Sequence, residues 1–126
     1  MSHNTEIYQV ATSYIGQTIG YGTGPGQLDC SHFIAQVLTK ATGTKFDYMQ
    51  ANSYEHSPHF RQVDLPQNGD IVFWHKTPHG HLGIVIDSVQ EIFIGAQNST
   101  GVDTARYSSS YWKSHGSGPK FLRYVG

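Results

Sequence analysis

The chain has 126 residues, a formal net charge of −1, 13% charged residues, eight histidines and one cysteine. That length suits a single domain over residues 1–126 and leaves no room for a second. The lone cysteine excludes an internal disulfide framework and a zinc site built on paired thiolates. Near-neutral charge excludes the clustered basic surface that a nucleic acid would need.

Taken from its start, Met1-Ser2-His3-Asn4-Thr5-Glu6 shows no basic region followed by an apolar run. No secretory leader is therefore expected, and nothing approaches the ~18 apolar residues of a membrane span. Ile7, Val10, Ala11, Tyr14 and Ile15 fall at helical spacing. They predict a first helix with Asn4 as N-cap and Gly16 as stop. The loop Gly20-Tyr21-Gly22-Thr23-Gly24-Pro25-Gly26 follows. Without a Lys-Ser or Lys-Thr pair behind it, this is not a phosphate-binding P-loop. A second helix opens at Asp29, carries Phe33, Ile34, Val37, Leu38 and Ala41 on its apolar face, and closes at Gly43. Residues 44–66 read as irregular, with a short helix near Gln50 to His56. After Gly69 the apolar period changes to two: Asp70 to His75, His81 to Asp87, Glu91 to Gln97 and Lys120 to Val125 read as strands. Ser108 to Gly118, rich in Ser and Gly, reads as surface loop. Helices first and an antiparallel sheet afterwards give an α+β class.

A lone cysteine is ordinarily a small buried hydrophobe. Cys30, however, follows the N-cap residue Asp29, so it sits in a first helical turn, where unpaired N–H groups and the helix dipole favour a thiolate. The preceding glycines leave backbone open to a substrate, and the apolar stripe begins only at Phe33, so Cys30 need not point into the core. On these grounds nucleophile and structural thiol stand level. A thiol nucleophile needs a base, and the base needs an orienting group. His81 opens a strand whose alternate residues Leu82, Ile84 and Ile86 are apolar. It therefore faces the other side, beside Gly83, whose small size leaves room above it. If Ser88-Val89-Gln90 is a three-residue hairpin loop, Asp87 pairs with Glu91, Val85 with Phe93 and Gly83 with Gly95. Gln97 then lies opposite His81, with Cβ atoms about 5 Å apart. Its amide oxygen could take the imidazole N–H, although Gln97 could equally be an ordinary strand polar residue.

Three segments carry a resemblance to the NlpC-type family of cell-wall peptidases, which are papain-like cysteine hydrolases. Leu28-Asp29-Cys30-Ser31-His32-Phe33-Ile34 resembles the family's Asp-Cys-Ser-Gly-Phe-Val motif. Pro66-Gln67-Asn68-Gly69-Asp70-Ile71-Val72-Phe73 resembles its Pro-Gly-Asp-Leu-Val-Phe segment. Gly80-His81-Leu82-Gly83-Ile84-Val85, followed by Phe93-Ile94-Gly95-Ala96, resembles its His-Val-Gly-Ile-Tyr strand and the next. The resemblance implies a papain-like α+β fold, N-terminal helices packed on a C-terminal antiparallel sheet. It implies Cys30 as nucleophile, His81 as general base and acid, and hydrolysis of amide bonds in peptidoglycan stem peptides, commonly the D-glutamyl to diamino acid bond, through a thioester. No metal or organic cofactor is needed, and the Cys30 amide at the helix start is a natural oxyanion donor.

The chain also departs from the family pattern. The usual third residue is a His where this chain has Gly95, so the orienting role passes to Gln97, with Asn98 in reserve. His32 replaces the usual Gly after Asp-Cys-Ser, at a position that with Asp29 and Ser31 could touch substrate. Tyr21 is nearest to the family's oxyanion tyrosine, and equally near to its neighbouring aromatic position. Short members without a leader resemble phage lysins and the amidase effectors of type VI secretion. They imply synthesis in a bacterial or phage-infected cytoplasm, action at the wall or periplasm after delivery, a delivery system or cognate immunity protein as partner, and a monomer.

Two rival readings remain. His75, His79 and His81, with His56 and His59 upstream, could hold a catalytic zinc, though Pro78 and Gly80 interrupt the run. A non-catalytic module that binds wall peptides would keep the groove without turnover. Asp70 reads as a turn residue, and Tyr107, Tyr111 and Trp112 as ring surfaces for sugars or peptide, or as cover for a sheet edge.

Overall fold

The structure is a computed structural model describing residues 3–126; Met1 and Ser2, part of the stretch read for a leader, lie outside the described residues. Its elements are helix α1 (Asn4–Thr12), helix α2 (Cys30–Thr42), a 3₁₀ turn (Ala51–His56), and strands β1 (Phe60–Val63), β2 (Ile71–Trp74), β3 (His81–Asp87), β4 (Ile92–Gln97) and β5 (Gly101–Arg106). A short helix α3 (Ser110–Lys113) and strand β6 (Lys120–Tyr124) follow. The six strands form one sheet in the order β1-β6-β2-β3-β4-β5, with each neighbouring pair antiparallel.

Helix α2 follows the local code. The Asp29 side chain accepts the His32 N–H at 2.8 Å, and Gly43 ends the helix at a left-handed φ of 73°. Phe33, Ile34, Val37 and Leu38 are fully buried against Ile71, Phe73, Leu82 and Ile84 of the sheet, each worth about 1.5–3 kcal/mol of burial. Helix α1 departs from expectation. His3, not Asn4, occupies the N-cap and makes no side-chain cap. Asn4 is the first helical residue, and its amide donates to the Asn68 carbonyl and to Asp70 Oδ1, both at 2.9 Å. A buried carboxylate outbids a local cap for that amide. The helix ends at Thr12, before the turn that carries Gly16.

Asp70 is fully buried. It accepts Nε and Nη2 of Arg123 at 2.9 and 2.8 Å and the Gln67 N–H at 2.7 Å. It is a structural junction between α1, β2 and β6. Gly69 beside it has φ of 92°, and a Cβ there would stand 2.3 Å from the Asn4 carbonyl oxygen. Only glycine permits that approach.

The sheet is covered on both faces. Val72, Trp74, Val85, Phe93 and Tyr107 form a second buried cluster, against which Trp112 and Phe121 pack. Tyr107 is accordingly a core residue rather than a ligand surface. The β3–β4 hairpin keeps the expected register at Val85 opposite Phe93, with Ile84 opposite Ile94. Its loop is longer by one residue, because Asp87 pairs with Ile92 across a bulge and Glu91 takes a positive φ of 63°. Gly83 does not open space: a Cβ there would lie 2.4 Å from the Phe93 ring, so the glycine makes room for Phe93. Strands β1 and β5 and helix α3 went unread in sequence. They lie in the stretch expected to be irregular, between the recognised strands, and in the expected loop. Among the described residues, no helix is long and apolar enough to cross a membrane.

Candidate active site

The start of α2 opens into a cleft of about 290 Å³ lined by residues that include Tyr21, Asp29, Cys30, Ser31, Tyr48, Asn52, Pro78, His79 and Gly80. The glycine-rich loop, the helix start, the 48–52 segment and the β2–β3 connection therefore meet there. Cys30 is more enclosed than expected. It is 8% exposed and belongs to the main core cluster, yet it still borders the cleft. Its Sγ lies 3.9 Å from Ser31 Oγ. Burial pushes its thiol above the ordinary value, while hydrogen bonds from Ser31 and the Leu82 backbone pull the other way and the Asp29 carboxylate adds to the rise. The expectation of a resting thiolate is thus corrected. Desolvation outweighs the helix-start N–H groups in the free protein, which leaves those groups to stabilise negative charge as it forms.

The sulfur meets the backbone of Leu82, the residue after His81, so Cys30 touches the His81 strand. The imidazole itself is not among the residues that line the cleft and lies with the second buried cluster. The His81 imidazole lies on the sheet face of Trp74 and Phe93, with ring centroids 5.5 and 6.4 Å away, and Trp112 stacks on it at 4.9 Å and 20°. Burial lowers its pKa to about 4; the Gln97 hydrogen bond opposes this and His115 adds to it. The imidazole is therefore neutral at pH 7, as a general base requires.

Linkage fixes the sign of the effect on stability. The unfolded state takes up the proton below about pH 6.5 while the folded state resists until about 4. This contribution is therefore undiminished above pH 6.5 and declines as the pH falls towards 4. Urea unfolding is expected to show a loss of about 2 kcal/mol between pH 7 and pH 5, missing in His81→Asn.

His81 Nε2 lies 3.4 Å from Gln97 Oε1, and the Gln97 amide donates to the Asp103 carbonyl at 3.0 Å. That second bond orients the amide, so its oxygen faces the imidazole and His81 Nε2 carries the proton. Gln97 is 6% exposed. A Cβ on Gly95 would stand 2.6 Å from Gln97 Oε1: the glutamine fills the space that a side chain at 95 would take. Asn98, the reserve, is exposed on the turn after β4.

Of the remaining candidates, Tyr21 is 38% exposed and borders the cleft. Burial raises its phenol pKa, and nearby Cys30 and Asp29 add to the rise. His32 is not among the cleft-lining residues. Its Nδ1 sits 2.8 Å from Asp29 Oδ1 and its ring stacks on Tyr48 at 4.1 Å, so it braces the helix start from outside. The proposed zinc set does not assemble. His75 Nδ1 lies 3.2 Å from Glu55 Oε1, His81 turns to Gln97, and among the described residues no three His, Cys, Asp or Glu side chains are grouped to hold a metal ion. Sequence reasoning missed Tyr48 and Asn52, which sit in a stretch without apolar period, and it gave Trp112 no link to His81.

Comparison with known proteins gives matches over most of the chain. The profile of the NlpC/P60 family matches residues 16–120. A probable peptidoglycan endopeptidase of Bacillus subtilis, LytE, is 32% identical over 103 residues; the match takes in 80% of this chain and 27% of that protein, so the chain spans about a quarter of that relative's length. The crystal structure of the NlpC/p60 domain of the peptidoglycan hydrolase SagA aligns with a TM-score of 0.67 and 25% identity, covering 97% of this chain and 98% of the other. RipD of Mycobacterium tuberculosis, described as a non-catalytic NlpC/p60 domain protein adapted to peptidoglycan binding, aligns with a TM-score of 0.67 at 14% identity, over 100% of this chain and 99% of the other. At that identity the likeness is one of fold.

Proposed function

The chain belongs to the NlpC/P60 family of peptidoglycan endopeptidases, and on that premise we propose that it is itself an active cysteine hydrolase of peptidoglycan stem peptides, cutting the D-glutamyl to diamino acid amide bond. The observation that carries the reading is a cleft-side thiol at a helix start whose sulfur meets the Leu82 backbone of the strand that begins with His81, a neutral imidazole held to an amide oxygen. Each piece has a role in acyl transfer.

Cys30 attacks the amide carbonyl as His81 takes its proton. The tetrahedral oxyanion is held by the Cys30 N–H, which opens the helix and so has no intrahelical partner, with the hydroxyl of Tyr21, which borders the same cleft, as second donor. His81 returns the proton to the departing amine, and water then cleaves the thioester with His81 as base. Gln97 keeps Nε2 protonated and Nδ1 free to accept. Asp29 holds the helix start, and Ser31 sits beside the sulfur. Because both thiol and imidazole rest neutral, proton transfer accompanies attack instead of preceding it. The site of action is then the cell wall.

Digestion of purified sacculi with mass spectrometry of the fragments tests the reading. The expected result is release of fragments that begin with a free diamino-acid amine. Gln97→Ala should slow that release about 10²-fold or more, and Gln97→Glu should recover part of the loss. Sacculi that bind the chain and stay uncut would instead assign it to the binding role described for RipD.

A further inference from the structure

Helix α3 is a single turn in a stretch rich in Ser and Gly, and nothing in the reaction as described uses it. Yet it is firmly placed. The Ser109 hydroxyl accepts the Trp112 N–H at 3.4 Å. Trp74, fully buried on β2, donates its indole N–H to the Trp112 carbonyl at 2.8 Å. The two indoles lie 4.6 Å apart, and Phe93 meets Trp112 edge to face at 5.3 Å. The outcome is that the Trp112 ring lies nearly parallel to the His81 imidazole, 4.9 Å away at 20°. Trp74, the partner of His81 across the β2–β3 ladder, lies 5.5 Å from the imidazole on the same side as Trp112.

We propose that Trp112 is a positioning residue: its indole fixes the plane of the His81 ring so that Nε2 stays on Gln97, and it keeps water from that bond. The inference rests on the catalytic reading of His81 and deepens it. The geometry requires such a clamp. The His81–Gln97 contact is long, at 3.4 Å, and an imidazole joined by one long bond could rotate about its side-chain torsions or exchange that bond for water. A flat ring stacked on its face removes both freedoms. It also removes solvent from a group whose neutral form the reaction needs, in keeping with the depressed pKa. The titratable groups around the imidazole are few. Cys30 reaches the backbone of Leu82 from α2. His115, after α3, lies 6.3 Å away edge-on, with Lys76 of the β2–β3 connection acting on it. Asp103 of β5 reaches this site through its backbone carbonyl to Gln97.

The test compares the wild-type chain with Trp112→Ala and Trp112→Phe, following His81 by NMR titration of the histidine ring and measuring kcat and KM against pH. For Trp112→Ala the His81 midpoint and the acid limb of kcat should move up together by about one pH unit or more, towards the ordinary value. kcat should fall about tenfold with KM changed less than twofold. Trp112→Phe, which keeps a stacking face, should stay near wild type in all three. An unmoved His81 midpoint in Trp112→Ala, or a loss confined to KM, would overturn the proposal. Should the wild-type chain cleave nothing, the titration alone still decides whether Trp112 governs His81, which separates failure of this inference from failure of the catalytic reading.

Discussion

Cys30→Ala is expected to reduce sacculus hydrolysis by at least about 10⁴-fold while the chain stays folded. The magnitude follows from removing the nucleophile itself: cleft binding and the helix-start N–H groups remain, but no acyl-enzyme can form. Stability should change by only about 1 kcal/mol, because the sulfur is one small atom in a cluster that keeps Phe33, Ile34 and Leu82. Cys30→Ser should be nearly as inactive, since an alkoxide costs far more to form than a thiolate in this enclosed position. Mass-spectrometric assay beside a urea unfolding curve reads both quantities. Turnover retained in either variant would remove the thiol mechanism.

The second large effect is on stability and lies outside the cleft. Arg123→Ala should cost about 3–5 kcal/mol, a large share of the 5–15 kcal/mol that holds a typical domain together. Asp70 is fully buried, and its two carboxylate oxygens are served by Arg123, Asn4 and the Gln67 N–H. Removing the guanidinium leaves a buried carboxylate with only neutral donors. Asp70→Asn together with Arg123→Met should cost less than Arg123→Ala alone, because no uncompensated charge remains. Equal losses in the two would show that packing of the long Arg123 side chain, not charge, holds the junction. The arrangement also accounts for the Gly69-Asp70 pair in chemical terms: the glycine admits the start of α1, and the aspartate fastens that start to the last strand.

The contrast between Asp70 and Cys30 shows what local reading can reach. Helix α2 was legible because its determinants are local: an Asp29 cap three residues from its bonded N–H, a stripe at 3.6 period and a left-handed glycine stop. The same holds for β3, whose alternation marks its bounds, and for the hairpin, where one pairing carries Gln97 to within reach of His81. That reach survived a wrong loop length because the bulge falls beyond Val85, away from the His81 end. Where the sequence misled, a distant partner had changed the local balance. Asn4 has the chemistry of a cap and instead serves Asp70, 66 positions away. Gly83 suggested open space and instead admits Phe93.

By itself, then, the sequence determined the α+β order, the helix that opens at Cys30, the strand that opens at His81 and the likeness of three ordered motifs to a wall-peptidase family, since each is written in residues close together in the chain. Tertiary structure decided the rest. It paired β1 with β6 across some sixty residues, Phe60 opposite Tyr124. It enclosed Cys30 enough to keep the thiol protonated, and it brought Trp112 onto His81 from a segment with no helical stripe of its own. Pairing of edge strands, desolvation and ring stacking all depend on what arrives from elsewhere in the chain, and no local pattern encodes that arrival. The charge of Cys30 belongs to this second group: the helix start argues for a thiolate, and the folded environment makes it a thiol.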